Sequence, residues 1–180
     1  LATIARLKAE AHATADVYDE FASLTLGSGS AAMVLGSLDA SPDAHRLVGG
    51  VSRAATQHHD ICVGDLDRMR TDTKALLEGG LALAAEAWAD SADDFGWNDG
   101  VSWYIIHQVS KVHTAAFTKA IGIDPRKVMT IFGEHGNIGP ASVPIVLSKL
   151  REMGRLKKGD RVALLGIGSG LNCSMAEVVW

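Results

Sequence analysis

The feature that most constrains the fold is an alternation of helical and strand patterns from residue 71 to the end of the chain. Apolar residues recur at helical spacing in three segments, and four short apolar runs lie between and after them. The helical segments are residues 71–93, 108–121 and 141–153, and the apolar runs are residues 101–106, 128–132, 161–165 and 172–180. This order predicts an α/β fold in which helices cover a mostly parallel sheet.

The part of the chain before residue 71 has a weaker pattern. Residues 1–20 form a polar lead-in of mostly helical or irregular character. Residues 24–35 place apolar and small side chains around Gly27-Ser28-Gly29, which predicts two strands joined by a bend. Residues 46–53 predict a further strand, and the polar residues 54–70 predict a loop. The bend lacks a helix-opening glycine fingerprint or a Walker lysine, so it does not indicate nucleotide binding.

Polar groups and glycines follow three of the predicted strands. His107 follows the first, Asn137 lies in a glycine-rich loop after the second, and residues 166–170 form a glycine-rich turn after the third. Because parallel strands end at one edge of a sheet, these groups are expected to supply two side-chain donors and free backbone N–H groups to one pocket. Taken singly, Asn137 is equally well explained as a turn residue and His107 as a satisfied histidine at a helix start.

Composition excludes several classes of function. A formal net charge of −4 without a basic cluster argues against nucleic-acid binding. No apolar run approaches the ~20 residues that span a bilayer, and charged residues interrupt the start of the chain too early for a signal peptide. The two cysteines, Cys62 and Cys173, and the pair His58-His59 lack the spacing of a metal site. We therefore expect a cytoplasmic protein with reduced thiols and no bound metal.

Four motifs occur in a specific order and spacing. They are His107-Gln108, Gly136-Asn137-Ile138-Gly139-Pro140-Ala141-Ser142-Val143-Pro144, Gly159-Asp160, and Gly168-Ser169-Gly170-Leu171-Asn172 near Trp180. They resemble the C-terminal half of the thiolase-superfamily condensing enzymes, in the ketoacyl synthase III group. Within that group the closest resemblance is to the OleA-type enzymes, which join two fatty acyl thioesters head to head. The resemblance reaches back to Leu24 and does not cover a complete enzyme.

This resemblance implies the thiolase fold, a layered αβαβα sandwich made of two similar halves. Residues 1–53 would be the end of the N-terminal half-domain, with its last strands, and residues 54–180 the C-terminal half-domain with the loop 54–70. Leu1 is not a methionine and lies in an amphipathic pattern, so we expect the chain to start inside a larger protein.

The resemblance also implies roles for individual residues. His107 and Asn137 would donate hydrogen bonds to an enolate oxygen, and the backbone N–H groups of Ser169 and Gly170 would form an oxyanion hole. The remaining matched positions would shape the pocket; they are Gly136, Gly139, Pro140 and Gly168. The nucleophilic cysteine and a glutamate base would come from the N-terminal half, so neither cysteine of this chain is expected to be the nucleophile. Glu134 lies near Asn137 but has little claim to the role of base.

The function implied is a non-decarboxylative Claisen condensation of two long-chain acyl-CoA thioesters to a β-keto acyl product, for olefin or β-lactone assembly. The coenzyme A thioester would be the substrate, and no cofactor is expected. A homodimer or paralogous heterodimer is implied, with downstream pathway enzymes as further partners. Two alternatives stay open: a decarboxylative ketoacyl synthase III that uses malonyl-carrier protein, and a non-catalytic partner subunit of a condensing heterodimer.

Overall fold

A four-stranded mixed sheet forms the centre of the structure, a computed structural model that describes residues 2–10, 14–41, 43–65 and 69–180. The strand order is β1-β6-β5-β4. These strands are β1 (Arg46–Ala54), β4 (Trp103–Ile106), β5 (Arg161–Gly168) and β6 (Asn172–Val179). A separate antiparallel hairpin is formed by β2 (Cys62–Gly64) and β3 (Met69–Thr71) within the predicted loop 54–70, of which residues 66–68 lie outside the described ranges.

The prediction of a mostly parallel sheet is wrong. Only β4 and β5 run parallel, whereas β5 and β6, and likewise β1 and β6, are antiparallel. Residues 169–171 alone separate β5 from β6, and so short a connection can join only antiparallel neighbours. Since β1 pairs with β6 along its whole length, it shares the sheet of the later strands. The domain boundary between residues 53 and 54 stays a prediction.

Helices cover both faces of the sheet. The described helices are α1 (Ala2–Glu10), α2 (Thr14–Asp19), α3 (Phe21–Thr25), α4 (Thr73–Ala89), α5 (Ala92–Phe95), α6 (Lys111–Ala120), α7 (Phe132–His135) and α8 (Ser142–Glu152). Tyr104 and Ile106 of β4 pack in one buried cluster with α4 and α6, whereas Ile105 packs in a second cluster with α8. Successive strand residues point to opposite faces, so both faces of the sheet are buried at β4, whereas most residues of the outer strand β1 are exposed.

The lead-in is helical where it is described, but the two strands predicted over residues 24–35 are not formed. Helix α3 ends at Thr25, and Leu26 makes an isolated parallel bridge to Asn137. A strand needs a neighbour for its N–H and C=O groups, and in the described ranges the stretch after Leu26 has no ladder. Its apolar side chains are consequently exposed, Val34 by 98%.

The strand predicted over residues 128–132 is also wrong. Val128 makes a single bridge to Tyr104, and α7 already begins at Phe132. The side chain of Gln108 forms hydrogen bonds with backbone groups of residues 129, 131 and 132. These groups would otherwise be available for the hydrogen bonds of a strand ladder. The other predicted helices and strands are confirmed in type, but some bounds differ. Helix α4 ends at Ala89, before the predicted residue 93, and α6 starts later than expected because Ser110 caps it.

Candidate functional site

His107 lies directly after β4, and two neighbours hold it. Its backbone N–H donates to the carbonyl of Leu165 on β5, at 2.8 Å. Its ring nitrogen Nδ1 lies 3.0 Å from Oγ of Ser142, the first residue of α8, whose side chain is 1% exposed. The imidazole is thus oriented by a buried hydroxyl on the helix that covers one face of the sheet.

The surroundings of His107 favour the neutral ring. Burial lowers the pKa of His107 below its ordinary value of 6.5, a hydrogen bond with the backbone of Gly139 opposes the shift, and charge on His113 adds to it. A neutral imidazole carries one N–H donor and one acceptor nitrogen. At neutral pH His107 can therefore donate one hydrogen bond without adding a positive charge to the site.

Asn137 is fixed through both its backbone and its side chain. Its backbone N–H donates to the carbonyl of Thr25 at 2.9 Å, and its carbonyl accepts from the backbone N–H of Gly27 at 2.8 Å. Its side-chain oxygen Oδ1 accepts from the backbone N–H of Gly139 at 3.0 Å. With the oxygen occupied, the amide nitrogen is the free end, and within the described residues it donates to no protein acceptor.

The pocket-shaping glycines carry conformations that other residues rarely adopt. Gly136 and Gly139 have φ values of +67° and +58°. A Cβ on Gly136 would lie 2.8 Å from the carbonyl oxygen of Thr25. Gly139 donates its backbone N–H to the Asn137 side chain, and its backbone raises the pKa of the nearby His107 ring. Pro140 follows Gly139 in a short 3-10 turn. The structure therefore brings His107, Asn137 and Gly139 together.

Ser169 and Gly170 form the turn between β5 and β6. Ile106 of β4 lies beside Leu165 of β5, and these two strands run parallel. The turn after β5 and His107 after β4 therefore lie at the same edge of the sheet. Strand β5 extends beyond the end of β4 and ends at Gly168. The side-chain amide of Asn172 donates to the Ser169 carbonyl at 3.1 Å. Neither backbone N–H of Ser169 or Gly170 donates to an acceptor within the described residues.

Three contributors were missed by the sequence analysis. Ser142 and Gln108 stood in the quoted motifs without an assigned role, although the position of the polar Gln108 next to His107 was a usable signal. Gly27 was considered only as part of a bend. A Cβ at Gly27 would lie 1.8 Å from the carbonyl oxygen of His135, so a glycine is required where the two segments meet.

Other polar candidates do not join the site. Glu134 is exposed, with its carboxylate 3.7 Å from Nζ of Lys149. Cys173 is fully buried, and burial raises the pKa of its thiol to about 11, as expected for a core residue. The Cys62 sulfur lies 3.3 Å from the Thr71 hydroxyl. Across the described ranges, no group of three or more potential ligands could hold a metal ion.

Comparison with known proteins shows what the chain is similar to. Residues 96–180 match the family described as 3-oxoacyl-[acyl-carrier-protein] synthase III C terminal. The chain is 63% identical over 163 residues, 90% of its length, to the acyl-CoA:acyl-CoA alkyltransferase of Xanthomonas campestris, and 36% identical over 172 residues, 88% of its length, to the protein of the same name from Shewanella oneidensis. It spans about half of these two relatives, 48% and 49%.

Solved structures give the same result. The chain superposes on cerulenin-bound OleA of Xanthomonas campestris with a TM-score of 0.94 at 59% identity, covering 99% of this chain and 52% of that one. A second OleA structure, with bound lauric acid and lauroyl-CoA, gives a TM-score of 0.95 at 58% identity and covers 99% and 53%. The fold is thus that of the C-terminal part of OleA, a thiolase-fold protein. The chain is similar to the ketoacyl synthase III group of the thiolase superfamily and matches the C-terminal half of its OleA-type members.

Proposed function

We propose that the protein containing this chain catalyses a non-decarboxylative Claisen condensation of two long-chain acyl-CoA thioesters. The observation that carries the proposal is the placement of two candidate donors: His107 directly after β4, held by Ser142, and Asn137, whose side-chain oxygen is held by Gly139. The relatives' name, acyl-CoA:acyl-CoA alkyltransferase, and the lauroyl-CoA in an OleA structure support the choice of substrate.

The condensation requires an enolate, which places negative charge on a thioester oxygen. A base removes a proton from the α-carbon of one acyl thioester, and the resulting carbanion attacks the carbonyl carbon of an acyl group held on a cysteine. The new C–C bond forms, the C–S bond breaks, and the thiolate leaves. The His107 N–H and the free Asn137 amide would stabilise the enolate oxygen, and losing one such donor typically costs ~2.7–4 kcal/mol of transition-state stabilisation.

The second negative charge arises in the tetrahedral intermediate. The backbone N–H groups of Ser169 and Gly170 would face this oxyanion, which requires a backbone that a substrate can approach closely. Ser169 is exposed and Gly170 has no side chain, which supports this assignment. Gly136, Pro140 and Gly168 would hold the loops that line the pocket.

The remaining requirements lie outside the residues assigned in this chain. The cysteine nucleophile and the glutamate base would come from the segment that matches the other half of the relatives. We propose that the protein needs no cofactor, works in the cytoplasm as a homodimer or paralogous heterodimer, and passes its β-keto product to enzymes of olefin or β-lactone assembly. No described helix has the length and apolar character required to traverse a membrane.

A decarboxylative reaction with malonyl-carrier protein is the second candidate. It is favoured by similarity to β-ketoacyl-[acyl-carrier-protein] synthase III of Bradyrhizobium diazoefficiens, 29% identical over 62% of this chain and 35% of the relative. A non-catalytic partner subunit is the third, and the presence of both His107 and Asn137 counts against it.

The experiment measures the intact mass of the full-length protein before and after incubation with lauroyl-CoA. The products formed from 13C-labelled lauroyl-CoA are then analysed. We expect a gain of one lauroyl group and a product that carries two labelled chains. Asn137→Leu should still fold but lower condensation ~100-fold or more. Product that forms only with malonyl-carrier protein would establish the decarboxylative reaction, and absence of both acylation and product would indicate a non-catalytic subunit.

A further inference from the structure

Gln108, the residue after His107, is completely buried and uses its whole amide group. Its nitrogen Nε2 donates to the carbonyl of Met129 at 2.9 Å. Its oxygen Oε1 accepts from the backbone N–H groups of Ile131 at 2.8 Å and Phe132 at 3.1 Å. Its exposed fraction is 0%. One side chain thus makes three hydrogen bonds to a segment more than twenty residues away in sequence.

The segment that Gln108 holds leads directly to Asn137. Ile131 and Phe132 supply the first N–H groups of α7, which have no partner inside a helix. Helix α7 is a single turn, and the backbone N–H of Gly136 closes it by donating to Phe132 at 2.9 Å. Asn137 is the next residue. A shift of the Gln108 amide would therefore pass through one rigid turn to the Asn137 side chain.

We propose that Gln108 is a positioning residue, whose amide fixes the loop of Asn137 to the strand that carries His107 and so sets the separation of the two candidate donors. The inference rests on the proposed function for its catalytic consequence. Misplacing a catalytic group by about 1 Å can cost ~100-fold in rate, so a clamp between two donors matters more than its contribution to folding.

The residue type matches this task closely. The loop presents one carbonyl and two N–H groups, and an uncharged amide of this length offers both a donor and an acceptor. A glutamate would keep the acceptor for Ile131 and Phe132 but lose the donor to Met129. A methionine would keep the shape and lose all three bonds. Tyr104, on β4 shortly before Gln108, is the matched control, because its buried hydroxyl donates to the carbonyl of Trp97 at 2.8 Å, away from the loop.

The test compares Gln108→Met, Gln108→Glu and Tyr104→Phe in the full-length protein with lauroyl-CoA. We expect Gln108→Met to lower kcat of condensation 30- to 100-fold and to change KM less than threefold. Gln108→Glu should retain an intermediate kcat. The kcat of Tyr104→Phe should stay within about threefold of wild type. A kcat of Gln108→Met within threefold of wild type, or an equal loss in Tyr104→Phe, would overturn the proposal. If Gln108→Met does not fold, kcat of Gln108→Glu is compared with kcat of Tyr104→Phe instead. An equal loss of kcat in these two variants would overturn the proposal.

Amide hydrogen exchange provides a readout independent of activity. We expect the Ile131 and Phe132 amides to exchange at least tenfold faster in Gln108→Met than in Tyr104→Phe. Unchanged exchange would refute the clamp even if the enzyme condenses acyl-CoA. Faster exchange in a protein whose wild type makes no condensation product would support the clamp and refute the proposed function.

Discussion

At the scale of single residues, the site depends on how the His107 ring is held. Ser142 fixes one ring nitrogen at 3.0 Å, and burial keeps the ring neutral. Neither property follows from the side chain of histidine itself. Both come from residues brought against it by α8 and by the loop around Gly139.

Replacing Ser142 with alanine should weaken this orientation. A buried hydrogen bond of this kind contributes about 0.5–1.5 kcal/mol, so we expect kcat to fall roughly three- to tenfold. Steady-state condensation assays measure the effect. Ser148→Ala is the control, because Ser148 lies exposed on the same helix and bonds only Glu152 among the described residues. Equal activity of the two variants would exclude an orienting role for Ser142.

The His107 ring should titrate below pH 6.5. Its pKa is lowered in the folded state, chiefly by burial, so the unfolded chain binds this proton at higher pH. Stability linked to His107 is therefore present above pH 6.5 and decreases as pH falls below that value. An NMR titration of labelled histidine, assigned with His107→Asn, measures the midpoint. A midpoint at or above 6.5 would show that the ring is not held neutral by its surroundings.

At the scale of elements, a partly buried ion pair joins the last two strands to the loop before β4. Arg161 of β5 contacts both carboxylate oxygens of Glu177 on β6 at 2.8 Å, and Glu177 also accepts from the Trp97 indole at 2.9 Å. Arg161 donates in addition to backbone carbonyls of the loop, including that of Phe95. The hydrogen bonds from Arg161 lower the pKa of Glu177, so this contribution to stability is present above pH 4.5 and is lost as pH falls through the lower folded value.

Glu177→Gln should be strongly destabilising for this reason. The change leaves Arg161 without its partner, and since Arg161 is partly exposed we expect a loss of about 2–3 kcal/mol rather than the full cost of a buried unpaired charge. Urea unfolding at pH 7 measures the free energy of unfolding. Asp90→Asn, which breaks the exposed pair with Arg53, should cost at most ~1 kcal/mol. A comparable loss of unfolding free energy in both variants would show that the Arg161–Glu177 pair stabilises the protein no more than an exposed ion pair.

At the scale of the whole molecule, the site depends on a contact between distant parts of the chain. The backbone of Thr25 and Gly27 holds Asn137 on both sides, and Gly27 lies against the loop of His135. The segment after α3, although it forms no ladder in the described ranges, thus fixes the position of one candidate donor.

Gly27→Ala should displace the Asn137 loop. The added Cβ would lie 1.8 Å from the His135 carbonyl oxygen. Backbone atoms would have to move to relieve this clash. We expect condensation to fall at least tenfold, measured as kcat in the full-length protein. Gly36→Ala is the control, because a Cβ there meets no atom within 4 Å. Retained activity in Gly27→Ala would show that this contact does not position Asn137.

The sequence alone predicted the α/β class of fold, most of the helices and strands after residue 71 and the candidate residues His107, Asn137, Ser169 and Gly170. These depend on periodicity, on glycines and on the spacing of motifs, all of which are local properties of the chain. Only the tertiary structure decided how β1 and β6 complete the sheet, why residues 128–132 do not form a strand, and which residues orient the donors. Gln108, Ser142 and Gly27 act through hydrogen bonds and close contacts between segments far apart in sequence, and no local pattern encodes such partners.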